Sequence, residues 1–165
     1  MKTIIKFFTI NPQSAAVVVL FLFVGFSSCK KNDTTQTIST VNYAGSFVKS
    51  GDAVVTSGTG TVSATFNPTT MVLSYTIAWS GLTSNAANMH FHDAGPVIYP
   101  ITGFAAATSG TLAGTVTLTA SQATDLAAGS IYVQIHTVNI PAGEIKAFLL
   151  QGATNYTTTG GSTGY

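Results

Sequence analysis

Between Thr59 and Trp79 the chain alternates apolar and polar residues twice, with a turn in between. Gly60, Val62, Ala64 and Phe66 alternate with Thr59, Thr61, Ser63 and Thr65. After Asn67-Pro68-Thr69-Thr70, the residues Met71, Leu73, Tyr75, Ile77 and Trp79 alternate with Val72, Ser74, Thr76 and Ala78. A strand with one buried face imposes this two-residue period, because successive side chains point to opposite faces. The stretch therefore predicts a hairpin whose core face holds Phe66, Leu73, Tyr75 and Trp79.

Further short strands are expected at residues 88–92, 97–101, 112–119, 130–137 and 144–151, with turn residues between them. In the third, Leu112, Val116 and Leu118 are read as inward. The one helical candidate is 121–128, capped by Ser121 and stopped by Gly129. Threonine and β-branched residues supply much of the composition and favour strands. The expected class is all-β: an antiparallel sandwich or small Greek-key barrel, immunoglobulin-like or superoxide-dismutase-like in outline.

The N-terminus reads differently. Lys2 and Lys6 precede an apolar stretch that Asn11-Pro12-Gln13-Ser14 interrupts, and residues 15–26 then run without a polar side chain. That run suits a signal-peptide core and is too short to cross a bilayer as a helix. Ser27 and Ser28 precede Cys29, the single cysteine of the chain. The segment resembles a bacterial lipobox, with Phe26 where Leu is usual. The resemblance implies a signal peptide at 1–28, cleavage before Cys29 and lipidation of its sulfur. The alternative is an ordinary signal peptide with an incidental cysteine. Lys30, rather than Asp, follows Cys29, which by analogy with bacterial sorting points to the outer membrane. Residues 29–40 read as a flexible polar tether and 153–165 as a Thr/Gly-rich disordered tail, leaving a folded unit at 41–152.

Charge excludes some functions. Charged residues are 7% of the chain and there is no Arg. From Cys29 onward, four Lys (30, 31, 49 and 146) stand against five acids (Asp33, Asp52, Asp93, Asp125 and Glu144), a formal charge of −1. No basic patch is present, so binding nucleic acid through its phosphates is not expected. One cysteine permits neither an internal disulfide nor a cysteine-based zinc site. No phosphate loop, dinucleotide fingerprint or nucleophile elbow is found, and an enzymatic role is the least favoured reading.

All three histidines lie in two short stretches, His90-Phe91-His92 and His136-Thr137. On a strand, His90 and His92 share one face and Phe91 takes the other. In residues 131–136, Ile131, Val133 and Ile135 take the apolar face, leaving Tyr132, Gln134 and His136 opposite. If both strands bury their apolar faces, all three imidazoles project outward from the sheet. Residues 137–143 between His136 and Glu144 read as a hairpin loop centred on Ile140, which would set Glu144 opposite His136. The candidate metal set is thus His90, His92, His136 and Glu144, with Asp93 nearby. Three imidazoles and a carboxylate suit zinc, copper or ferrous iron. Two other roles for Glu144 stay open: accepting a proton from a ligand's second nitrogen, or clamping the loop at Pro141 to Gly143.

These residues carry a resemblance. Ser80-Gly81-Leu82-Thr83, His90-Phe91-His92, Gly95-Pro96-Val97, the stretch from Gly129 through Tyr132-Val133-Gln134-Ile135-His136-Thr137, and Pro141-Ala142-Gly143-Glu144-Ile145 together resemble a chordin-type (CHRD) domain. The likeness covers most of residues 41–151. It departs in the abrupt Asp93-Ala94 after the second histidine, in Gln134 where Asn is common and in Lys146-Ala147 where Arg-Gly is common. It implies an extracytoplasmic β-sandwich found in bacteria and, as repeats, in animal chordin. The family is similar in outline to copper/zinc superoxide dismutase, where a His-x-His strand and a later strand histidine place copper outside a barrel. No fourth copper histidine and no separate His/Asp zinc cluster is found here, so dismutation is not expected. The functional expectation is a lipid-anchored module that binds one copper or zinc ion. The alternative is a metal-free module for a protein or glycan partner, with a structural His/Glu cluster.

Overall fold

The computed structural model describes residues 35–159; the targeting segment, Cys29 and the start of the tether lie outside the described residues. Ten strands and one helix follow in order: β1 (Thr35–Ser46), β2 (Val48–Lys49), β3 (Thr59–Asn67), β4 (Val72–Ser80), β5 (Ala86–Asp93), β6 (Val97–Pro100), β7 (Gly110–Thr117), α1 (Ala120–Ala127), β8 (Ile131–Thr137), β9 (Ile145–Phe148) and β10 (Leu150–Thr159). They form two five-stranded sheets, β10-β1-β3-β4-β7 and β2-β9-β8-β5-β6. Every pairing is antiparallel. The architecture is a sandwich of two open sheets rather than a closed barrel.

The hairpin read from the alternation is β3–β4, with Phe66 opposite Leu73 and Ala64 opposite Tyr75. Val62, Phe66, Leu73, Tyr75, Ile77 and Trp79 are all buried. Across the sandwich they meet Met89 and Phe91 of β5 and Ile131, Val133 and Ile135 of β8. Tyr75 and Phe91 make the contact between sheets edge-to-face, with ring centroids 5.0 Å apart. The two-residue period thus sorts each strand into a face toward the other sheet and a face toward solvent.

Three expectations change. The stretch 144–151, read as one strand, is two: β9 in one sheet and β10 in the other. The chain crosses between sheets at Leu149, which is buried and donates its N–H to the Ile131 carbonyl (3.0 Å). Alternation runs unbroken through Ile145, Ala147 and Leu149, all buried, up to the crossing itself, so the period gave no sign of the break. The helix begins one residue earlier than expected, and its cap is Thr119 rather than Ser121. Thr119 Oγ1 accepts from Gln122 N (3.2 Å) while Gln122 Oε1 accepts from Thr119 N (2.9 Å), a reciprocal box that Ser121 has no Glu or Gln placed to form. Pairing of β1 with β10 also reaches beyond 41 and 152, to Thr35 and Thr159. These ends are mostly Thr, Ser, Asn and Gln, so they carry no sustained hydrophobic alternation to mark them as strands.

Glu144 departs furthest from its expected place. The β8–β9 pairing ends with Ile135 opposite Ile145, and the Glu144 N–H donates to the Ile135 carbonyl (2.8 Å). Yet β9 begins only at Ile145, and Glu144 and Ile145 are both fully buried. Alternation fails for one residue, and the carboxylate turns away from the histidines into the end of the sandwich. Its Oε1 accepts from Thr56 Oγ1 and from Thr83 N (2.9 Å), and its Oε2 from Thr83 Oγ1 (2.8 Å) and Thr137 Oγ1 (2.7 Å). The β2–β3, β4–β5 and β8–β9 connections are all tied to one side chain. Burial alone pushes this carboxyl up; the hydrogen bonds from Thr56, the Thr83 backbone, Thr137 and the Thr83 hydroxyl together hold it below the usual glutamate range.

Two predictions follow from this packing. At Gly45, near the end of β1 and paired with Val62, a Cβ would lie 2.0 Å from the Phe148 carbonyl oxygen, which is backbone and has nowhere to go. Gly45→Ala should lower stability by roughly 1–3 kcal/mol in urea unfolding, while Gly51→Ala, whose Cβ meets nothing within 4 Å, should change it by less than about 0.5 kcal/mol. Because the folded pKa of Glu144 is depressed, its contribution is fully present above the unfolded value near 4.5 and is lost as pH falls through the lower folded value. The urea midpoint should fall as pH drops below about 4.5. Glu144→Gln should be less stable by about 2–5 kcal/mol at neutral pH and show a shallower acid loss; equal acid slopes in the two proteins would show that Glu144 is not the group responsible.

Candidate metal centre

β5 and β8 pair with His90 opposite Gln134, His92 opposite Tyr132 and Asn88 opposite His136. Met89 and Phe91 face the core, so His90 and His92 lie on the other side of the sheet, and His136 sits diagonally across from His90. The structure brings the three rings together. Centroids are 5.0 Å apart for His90 and His136, 5.8 Å for His90 and His92, and 6.1 Å for His92 and His136. One nitrogen from each ring lies within 4.8 Å of the others.

The face is as expected, but exposure is not uniform. His92 is only 6% exposed, whereas His90 and His136 are half-buried. The Tyr132 ring stacks on His92 at 4.9 Å with an interplanar angle of 5°. On the other side the abrupt Asp93-Ala94 turn folds back, and His92 Nδ1 donates to the Gly95 carbonyl (2.8 Å). Gly95, at φ 140°, takes a backbone conformation that few other residues accept. Tyr132 in turn packs on Phe148, and Lys146 Nζ lies 5.8 Å from the centroid of each ring.

Hydrogen bonds select the nitrogens. A carbonyl oxygen can face only a donor, so His92 and His136 both carry their proton on Nδ1: His92 toward Gly95, and His136 toward Pro141 (2.9 Å). A ring with its one proton on Nδ1 presents an Nε2 lone pair. The Nε2 of His136 lies 3.3 Å from Nδ1 of His90, close to the edge of about 3.3 Å that two nitrogens span on a tetrahedral ion with metal–nitrogen bonds of 2.0–2.1 Å. The Nε2 of His92 is buried and has no hydrogen-bond partner. A lone pair hidden from water without a donor costs on the order of 1–3 kcal/mol. Burial first, and then the neighbouring His136 and His92, lower the pKa of His90, which favours the uncharged form that a ligand requires.

Two acids expected near this centre are elsewhere. Glu144 spends both oxygens on threonines, and it is not a member of the three-histidine group. Asp93 faces Asp125 of α1 instead; burial, and then the hydrogen bond and charge of Asp125, raise its carboxyl pKa. What remains is a three-nitrogen donor set. Such a set suits zinc or copper and leaves at least one position for water or another ligand. The Gly95 and Pro141 carbonyls, which fix the tautomers, are backbone atoms and leave no mark in a sequence. Tyr132 was legible, since its parity places it on the histidine face.

A scan against protein-family models matches the CHRD domain at residues 39–149. Neither the curated proteins nor the solved structures contain a match. The matched segment runs from within β1 to Leu149, just past β9, and includes all three histidines and Glu144. It takes in strands of both sheets, all but β10, and covers well over half of the 165 residues. The chain belongs to the CHRD-domain family.

Proposed function

We propose that this protein is a lipid-anchored, extracytoplasmic binding module that holds one transition-metal ion, copper or zinc, through His90, His92 and His136. The observation that carries this reading is the buried Nε2 of His92, which has no partner and lies beside two further imidazoles. A protein rarely buries a lone pair unanswered. Here the other nitrogen of the same ring is tied to a carbonyl, the usual arrangement for orienting a metal-bound imidazole. An ion would satisfy the orphaned nitrogen and replace the proton that otherwise lies between His90 and His136.

A second reading is an interaction module without metal, for a protein or glycan partner. It is favoured by exposed apolar side chains around the same face: Val48 (57%), Val97 (52%) and Phe148 (38%). These border the histidines through the pairings of Val97 with His92 and of Val48 with Lys146. The two readings separate in one experiment. Titrating the untagged protein with copper(II) or zinc(II) should show one equivalent bound, and ion at a hundred times Kd should raise the unfolding free energy by about 2.7 kcal/mol. His90→Ala/His136→Ala should weaken binding by at least about 100-fold. A wild-type protein that gives neither binding heat nor a thermal shift with either ion removes the metal reading and leaves the second.

The anchor rests on Cys29, the apolar run before it and the small residues Ser27 and Ser28. In a bacterial host the mature chain should begin at Cys29, incorporate labelled palmitate and sediment with the outer membrane. Cys29→Ala should abolish the label; a labelled Cys29→Ala protein, or an unlabelled wild type, would refute lipidation.

A further inference from the structure

Glu144 is absent from the ligand set, yet one line of hydrogen bonds joins it to a ligand. Its Oε2 accepts from the Thr137 hydroxyl (2.7 Å). That hydroxyl oxygen also accepts from Ile140 N (3.2 Å). Thr137 N and Gly143 N both donate to the Ile140 carbonyl (3.3 and 3.0 Å). The bend of the 137–143 loop is therefore tied to the carboxylate by a single hydroxyl that donates at one side and accepts at the other. The next residue, Pro141, points its carbonyl at His136 Nδ1 (2.9 Å). The proline ring fixes its own φ and limits how that carbonyl can drift.

We propose that Glu144 is a positioning residue for the histidine centre: through Thr137 and the 137–143 loop it places the Pro141 carbonyl, and so determines that His136 offers Nε2. This deepens the metal reading above and rests on it for its purpose, although the tautomer of His136 can be observed without metal. The ionised form is essential to the device. All four hydrogen bonds into Glu144 come from donors, two on each oxygen. A glutamine cannot receive all four. With its amide nitrogen in place of Oε1, it meets the Thr83 N–H head on. With the nitrogen in place of Oε2, the Thr83 and Thr137 hydroxyl protons lose their acceptor. In either orientation a donor is stranded, and relief comes most readily by releasing a side-chain hydroxyl. If Thr137 turns, Ile140 and Pro141 are no longer held.

The test reads the His136 ring directly. In the full chain, metal-free and at about pH 8, where imidazoles are neutral, side-chain nitrogen NMR should show wild-type His136 as the Nδ1–H tautomer. Glu144→Gln and Thr137→Val should each give a mixture of tautomers and weaken copper(II) or zinc(II) binding by about 10–100-fold. Thr137→Val keeps the shape and removes only the bridging hydroxyl, so it carries the test if Glu144→Gln does not fold. Leu126→Ala, a core truncation on α1, serves as the control; it should lose stability but keep both the tautomer and the affinity. Variants that keep the wild-type His136 tautomer, or a control that loses it to the same extent, overturn the proposal. If wild-type protein binds neither ion, the metal reading fails by itself, and the tautomers still decide whether Glu144 acts on His136.

Discussion

A carboxylate withdrawn fully from water costs several kcal/mol unless other groups replace its hydration. Among the described residues no cation pairs with Glu144 to offset that cost; the salt bridge found there joins Lys49 and Asp52 at the surface. It has threonines instead. Three hydroxyls and one backbone N–H supply four donors to its two oxygens. Because those donors come from the β2–β3 and β4–β5 connections and from the end of β8, the carboxylate acts as a common anchor for one end of the sandwich. The abundant threonines of a chain with few charges make this possible, since they provide donors without adding charge.

Around that anchor the sandwich divides its labour. Strand alternation places the histidines on the outer face of one sheet, because their neighbours Met89, Phe91 and Ile135 are required in the core. Strands settle position to within a side chain. They do not settle which ring nitrogen faces the centre. That choice falls to two turns, one ending in the Gly95 carbonyl and the other in the Pro141 carbonyl. Strands therefore give the donor set its rigidity, and loops give it its chemistry.

The aromatic wall adds a third layer. Tyr132 lies flat on His92 and packs against Phe148, with the Lys146 ammonium over both rings. Stacking removes His92 from water and so strands its Nε2, while His90 and His136 keep partial access to solvent. One side of the centre is closed by protein and the other is open. This asymmetry suits a site that retains an ion while leaving it reachable.

Much of this was legible in the residues themselves. The hairpin of β3 and β4, the all-β class and the common face of the three histidines follow from a period of two and from which residues are apolar. Those are local properties, and each strand states them independently. The Glu144 cluster was not legible. Parity set that residue opposite His136, but the β8–β9 pairing stops at Ile135 and Ile145, one residue short of it, and the side chain turns inward. Thr56, Thr83 and Thr137 are unremarkable in a Thr-rich chain until the fold brings three distant segments to one point. The sequence by itself determined which face each strand side chain takes, because alternation is a property of the extended backbone. Only the tertiary structure decided what each polar group meets there, since hydrogen-bond partners come from loops far apart in the chain and from backbone carbonyls that no residue type announces.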